Sequence, residues 1–452
     1  KIRQSQKLNE HWVKMKNIFY LQPYNEIRSY FGEQFTFYFA WMGLYTASLF
    51  AAALAGLACF IYGLASFATI DDNVKEICDE TKAPGNYTMC PKCDFRCNYT
   101  KLSGSCNNAK FSRVFDNEAT LACAIFICVW AICFMELWKR RQLALQHEWN
   151  VTNFEADELS MVVIAIFAVL VYRLALAHKT RTSYEDSFIF KIVVFQCINN
   201  YGSIIYIAFF KGSFVDRPGF DKLYMFSKYR QDECEDTGCF SELTIQLIVV
   251  MIGKQFLNAL IEMLAPLVVA IIIIIIIIII IIIIIIIIVV VWERDLDLEC
   301  HPPISMFGEY LEMVIQYGFV TLFVVAFPLA PLFAFLNNII EIRLDAYKMV
   351  KLFRRCAALK AQDIGAWEIS LQMISYMAVI SNAFIIAWTS DFIPKAVYKW
   401  NADTRSLSGY MNWTLAPFNV SEFKANQRPD VSIYPEAANV TQCMYELIMF
   451  VY

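Results

Sequence analysis

Apolar runs of roughly 20 residues recur along this chain, and that is the length a helix needs to cross a bilayer. The runs span 35–68, 119–137, 160–177, 187–210, 243–269, 313–327, 332–342 and 369–388. Inside hydrocarbon no water satisfies the backbone, so such runs must be helical. With 58% hydrophobic and 18% charged residues in 452, the fold class is an all-α polytopic membrane protein. There is no glycine-rich phosphate loop, no His-Glu-x-x-His, and the chain has four His. A nucleotidase or zinc hydrolase therefore has no support, and no enzyme is expected. A net charge of −4 carries no nucleic-acid footprint.

Against this apolar background, carboxylates stand out. Asn258-Ala-Leu-Ile-Glu262 lies late in one run. Glu309-Tyr-Leu-Glu312 opens another, which turns at Phe327-Pro-Leu-Ala-Pro331 and closes on Asn337-Asn-Ile-Ile-Glu341-Ile-Arg-Leu-Asp345. Carboxylates in a bilayer are costly unless neutralised. Oxygen donors with no His or Cys among them suit a hard cation such as Ca2+. Asn258 and Glu262, Glu309 and Glu312, and Glu341 and Asp345 are each three or four apart, so each pair shares a helix face. The proline turn makes the last two pairs the far ends of one helical hairpin, at the same membrane depth. The competing assignment pairs the acids with Arg343 and Lys348 near the interface, but five acids outnumber one inward-facing base.

Cysteines and sequons set the sidedness. Cys59, Cys123, Cys128, Cys133 and Cys197 sit in apolar runs as packing residues. Cys78, Cys90, Cys93, Cys97 and Cys106 crowd one polar loop with the sequons at Asn86 and Asn98, which places them in an oxidising exterior or lumen. Five is odd. Cys443 supplies the sixth partner, in a loop with sequons at Asn412, Asn419 and Asn439. Cys234 and Cys239 form a separate short-range pair. Trp138-Lys-Arg-Arg141 and Arg354-Arg355 mark the cytosolic side, so the acid-bearing hairpin ends face the cytosol. Passage through the secretory pathway follows, with the plasma membrane as the expected destination.

Ile271 to Ile288 is eighteen consecutive isoleucines, which reads as a placeholder for an unassigned helix. If it is counted as a span, Glu262 falls on the opposite side from Glu341. A missing span near 177–178 is the expected alternative, and a last span is expected to begin near the end of the chain. The organisation is then a pre-membrane segment 1–34, a first span 35–68 and a Cys-rich ectodomain 69–118. Spans follow at 119–177 and 178–269, then the polyisoleucine stretch 270–291 and the hairpin 292–362. A late span 363–390, a glycosylated loop 391–443 and the start of a truncated span 444–452 complete it.

Ordered motifs over most of the chain resemble the anoctamin (transmembrane protein 16) family. They are Gln22-Pro-Tyr-Asn-Glu-Ile-Arg-Ser-Tyr-Phe-Gly-Glu33, Cys90-Pro-Lys-Cys-Asp94, Ala208-Phe-Phe-Lys-Gly212, Gly253-Lys-Gln255, the stretch from Phe327 to Ala346, Asp363-Ile-Gly365 and Thr389-Ser-Asp-Phe-Ile-Pro394. The resemblance implies a homodimer of ten-span subunits, here lacking one inner span and the last. Each subunit has its own path for chloride or phospholipid, opened by cytosolic Ca2+. It implies a two-ion site of Asn258, Glu262, Glu309, Glu312, Glu341 and Asp345, with Asn337 adding an oxygen. Two Ca2+ then bring four positive charges to five carboxylates and draw the Asn258 helix toward the hairpin. That difference in affinity between states is what a ligand switch requires.

By the same resemblance, Arg173, Lys211, Arg230 and Lys254 match positions along the path, where cations attract chloride or lipid phosphate. Interfacial snorkelling competes with that role, most strongly at Lys211. Gly253 is either a hinge or a site of close helix packing. The Gly253 to Glu262 spacing, Lys228-Tyr-Arg-Gln-Asp-Glu-Cys234 and Glu262-Met-Leu-Ala-Pro266 resemble the scramblase branch. Asn-Ala at 258–259 departs from the family's usual Asn-Asn. A dedicated chloride channel is the alternative, and a non-transporting, calcium-regulated tether is a further one. Mechanically gated relatives lack a full calcium site.

Overall fold

The computed structural model describes residues 6–68 except 15, 16, 18 and 19, then 72–151 and 181–212. It also describes parts of 218–257, and 306–446 except 356, 357, 403–405, 425 and 426. The polyisoleucine stretch and the expected break near 177–178 lie outside these residues.

A short helix, α1 (Tyr24–Phe31), leads through Gly32 into α2 (Glu33–Ala68). Gly32 has φ +95°, and a Cβ there would stand 2.8 Å from the Leu359 carbonyl oxygen, so only glycine fits this corner. α2 is 36 residues long, or about 54 Å at 1.5 Å per residue, so it projects well beyond a bilayer core. The ectodomain begins with α3 (Asp72–Cys78) and continues through β1 (Thr88–Met89), β2 (Thr100–Lys101) and α4 (Cys106–Phe115).

α5 (Glu118–Trp149) is the second helix of membrane-crossing length. Asn117 caps it by accepting from the Ala119 amide at 3.0 Å, and Asn150 ends it in the left-handed region. The apolar run predicts a span ending near Leu137, but the helix continues to Trp149. There Gln142 donates to Glu368 at 2.8 Å, so polar tertiary contact extends the helix past the hydrocarbon. α6 (Arg181–Phe209) and the strands β3 (Tyr224–Met225) and β4 (Tyr229–Arg230) follow. α7 (Phe240–Ile248) then widens into a π-helical turn over Val249–Lys254.

Next come the hairpin helices α8 (Phe307–Leu322) and α9 (Ala330–Tyr347), with Pro331 in the first turn of α9. A π-helical turn, Lys348–Leu352, extends α9. α10 (Ala366–Phe384) continues through Ile385–Thr389. α11 (Phe392–Asn401), α12 (Tyr410–Thr414), β5 (Leu415–Asn419) and β6 (Gln442–Glu446) complete the described chain.

Among the described residues, α2, α5, α6 and α10 with its continuation are long and apolar enough to cross a membrane. Large apolar side chains point outward from them, among them Phe50, Ile125, Phe195, Ile198, Tyr376 and Trp388. In water such faces would aggregate, whereas in a bilayer they meet lipid. The hairpin sits inside this ring. Val314, Tyr317 and Val320 of α8 and the turn residues Val324 to Phe327 are almost wholly buried.

The hairpin's backbone is satisfied by its neighbours, as burial in a membrane demands. Asn382 of α10 donates to Thr321 O at 2.7 Å and accepts from Val325 N at 3.3 Å. Thr244 of α7 donates to Ala326 O at 2.9 Å, and Tyr201 of α6 donates to Ile315 O at 2.8 Å.

Outside the bilayer, β2-β1-β6-β5 form one sheet, joining the first polar loop to the last. β1 pairs parallel with β6 at Met89 and Met444, and β5 pairs antiparallel with β6. The Cys90–Cys443 disulfide covalently joins the same two loops. Cys78–Cys106, Cys93–Cys97 and Cys234–Cys239 also pair. Asn86, Asn412, Asn419 and Asn439 are exposed, and Asn98 is half-buried.

Candidate metal centre

The hairpin brings Glu309 at the start of α8 beside Glu341 and Asp345 at the end of α9. Lys348 marks the meeting point. Its Nζ lies 3.4 Å from Asp345 Oδ1, 3.7 Å from Glu309 Oε1 and 3.9 Å from Glu341 Oε1. The side chains of Asp345 and Glu341 are 1% and 4% exposed. Carboxylates so withdrawn from water require compensating charge. Here an ammonium stands among them, so the donors suit a hard cation in both charge and chemistry. Asp345 also accepts a hydrogen bond from the Tyr38 hydroxyl of α2 at 2.6 Å.

Glu312 lies one turn along α8 from Glu309, and Asn337 one turn before Glu341 on α9. Asn258 and Glu262 lie outside the described residues. Among the described residues, no group of three or more His, Cys, Asp or Glu side chains is arranged to hold a metal ion by itself.

Arg343 turns away from the acids to a different task. It is 2% exposed, and it donates to Trp12 O and Asn17 O at 2.7 Å and to Tyr20 O at 2.9 Å. The helix that carries Glu341 and Asp345 is thereby clamped to the pre-membrane segment. Of the two bases in the competing assignment, Lys348 does face the acids.

Two side chains that the sequence does not single out extend this polar surface. Gln316 stands one turn beyond Glu312, and Asn338 one turn before Glu341. They are 1% and 0% exposed, and both amide atoms of each lack a hydrogen-bond partner among the described residues. Buried amides left unpaired call for a polar neighbour. From Glu309 to Gln316 the polar ladder rises about 10 Å into the membrane.

The basic residues matched to the path lie apart. Lys211, at the end of α6, forms an ion pair with Glu242 of α7. Arg230 is held by Asp94 at 2.7 Å, Glu233 at 2.6 Å and Pro91 O at 2.8 Å, which pins β4 to the Cys-rich loop. Lys254 ends the π-helical turn of α7, and Arg173 lies outside the described residues. Gly253 falls inside that turn, and among the described residues no atom lies within 4 Å of where its Cβ would stand. π-helical turns are rare, and those inside α-helices frequently fall at functional sites.

A family model described as "Anoctamin: Calcium-activated chloride channel" matches residues 27–169, 161–274 and 291–452. Human Anoctamin-5 is 34% identical over 93% of this chain and 57% of its own length. Human Anoctamin-1 is 34% identical over 94% of this chain and 56% of its own, and mouse Anoctamin-3 is 35% identical over 92% and 52%. The chain spans a little over half the length of these relatives. From the family match along nearly all of its length and identities above 30%, this chain belongs to the anoctamin family.

Proposed function

We propose that the full-length protein is a calcium-activated phospholipid scramblase with accompanying ion conductance. The observation that carries this reading is the convergence of Glu309, Glu341 and Asp345 at the inner end of a buried transmembrane hairpin. Glu312, Asn337, Asn258 and Glu262 complete the proposed ligand set, for two ions per subunit. Bound Ca2+ supplies the positive charge that lets these acids lie together in a low-dielectric setting.

The residues of the chain do the rest. Glu309 and Glu312 present their oxygens from α8, and Glu341 and Asp345 from α9. Tyr38 fixes the Asp345 carboxylate from a third helix. Asn258 and Glu262 follow α7 in the sequence, and in this proposal the π-helical turn at Gly253 is the point at which they move toward the hairpin or away. Neutralising the acids also removes negative potential from the inner mouth, which favours anions and lipid phosphates.

Scrambling is preferred to a closed pore because the Gly253 to Glu262 spacing and the 228–234 and 262–266 stretches resemble scrambling members. The description of the matching family as a chloride channel supports a dedicated channel as the second reading. A homodimer in the plasma membrane is part of the proposal.

The test uses the full-length protein in liposomes, with dithionite loss of outer-leaflet fluorescent lipid and chloride efflux measured together. Calcium-dependent lipid loss is the expected result. Chloride efflux alone means a channel. Neither flux, with calcium still bound, means a tether. Glu312→Gln and Glu341→Gln are expected to lower calcium potency steeply, and unchanged potency removes these acids from the site.

A further inference from the structure

We propose that Lys348 is a tethered counter-ion which competes with calcium for the acid cluster and so sets the calcium concentration at which the protein responds. The inference rests on the calcium-site reading and adds to it the element that opposes binding.

One ammonium lies within 4 Å of carboxylates from both hairpin helices. It sits three residues after Asp345 and seven after Glu341, on the same face of α9, where the helix widens into its π-helical turn. Its side chain is 15% exposed, more than those of Glu341 and Asp345 at 4% and 1%, so it has a route to water that they lack. A lysine head on a flexible four-carbon stem can leave such a position for water without moving the backbone.

In the calcium-free state Lys348 relieves the repulsion between Glu309, Glu341 and Asp345 and keeps the hairpin ends together. A divalent ion among the same oxygens repels the ammonium, so each binding event breaks these ion pairs. Calcium affinity is therefore lower than the carboxylates alone would give, and the calcium-free hairpin is more ordered.

The experiment measures calcium binding to purified full-length protein in nanodiscs, by titration with Ca2+ alone. It also measures melting temperature in chelator and at saturating Ca2+. Lys348→Gln is expected to bind calcium about tenfold more tightly, the loss of one favourable charge contact. It is also expected to melt below wild type in chelator and level with it in calcium. Lys348→Arg keeps the charge and is expected to stay near wild type in both. Lys348→Met, close in shape, replaces the glutamine variant if that fails to fold.

Unchanged or weaker binding in the neutral variants overturns the proposal, as does an equal gain in Lys348→Arg. Glu341→Gln runs in parallel to separate the two readings. If it binds calcium normally, the site itself is misassigned. If it loses binding while Lys348→Gln and Lys348→Met are unchanged, only the counter-ion role fails.

Discussion

The hydroxyl of Tyr38 donates to Oδ2 of Asp345 at 2.6 Å, joining side chains 307 positions apart in the chain. Tyr38 is fully buried on α2, and Asp345 is fully buried at the end of α9. The contact holds one oxygen of a candidate ligand in place and leaves Oδ1 turned toward Lys348.

Tyr38→Phe keeps the packing and removes this donor. Loss of an orienting hydrogen bond to a ligand typically weakens a metal site by about 10-fold to 100-fold. A calcium titration of transport in liposomes is expected to shift to higher concentration by that order. A titration matching wild type would show that Asp345 needs no such support.

Arg343→Gln tests the clamp on the pre-membrane segment. It leaves the carbonyls of Trp12, Asn17 and Tyr20 without their charged donor. Removing one side of a buried, charge-assisted network costs about 3 kcal/mol. We expect a lower melting temperature and faster proteolysis within residues 9–20. Unaltered cleavage would mean the segment is held by Trp12 packing alone.

Gly318→Ala tests the fit of α6 against α8. A Cβ at Gly318 would stand 1.8 Å from the Tyr201 hydroxyl, which itself donates to Ile315 O. Overpacking of this kind costs about 1–3 kcal/mol. The single variant is expected to lose stability, and the double variant with Tyr201→Phe to recover part of it. No recovery would place the strain elsewhere.

A fourth prediction concerns pH at β6, which pairs through Glu446 in the sheet outside the bilayer, so the span expected from 444 cannot begin before 447. Glu446 lines a cavity with Asp236, Asp391, Arg113 and Lys395. The strand end is exposed as a whole, but the carboxyl is crowded by protein. Loss of hydration there, then the charge of Asp391, against Lys92, pushes it up to about 8. The folded chain keeps a proton that the unfolded chain releases near 4.5. The stabilising contribution is therefore full below 4.5 and declines as pH rises to about 8. Melting temperatures of wild type minus Glu446→Gln should fall across that window. A difference independent of pH would mean that Glu446 ionises normally.

The parts of this architecture that were legible in the sequence share a physical cause. Hydrocarbon leaves few options, so apolar runs mark the helices, and carboxylates inside them stand out against their surroundings. The proline turn likewise implied a hairpin, and Glu309 does meet Asp345 through Lys348. The odd cysteine count and the sequons pointed from the first loop to Cys443, which pairs with Cys90. Helix ends were less legible, because α5 extends past its apolar run on polar contacts such as Gln142 with Glu368. Tyr38, Gln316, Asn338 and the Arg343 clamp gave no local signal. An aromatic or amide in an apolar helix reads as packing until its distant neighbour is known.

The Cys90–Cys443 bond gives the membrane region the connectivity of a closed ring, since 353 positions of chain lie between its two ends. One protease cut anywhere inside that ring opens it without releasing a piece. The two fragments migrate as one species until a reductant is added, and the disulfide clasp keeps both halves of the bundle side by side. A nick in any cytosolic loop is thus survivable at the level of covalent integrity. Split versions of the chain, expressed as two polypeptides that meet in the oxidising compartment, have a built-in means of rejoining.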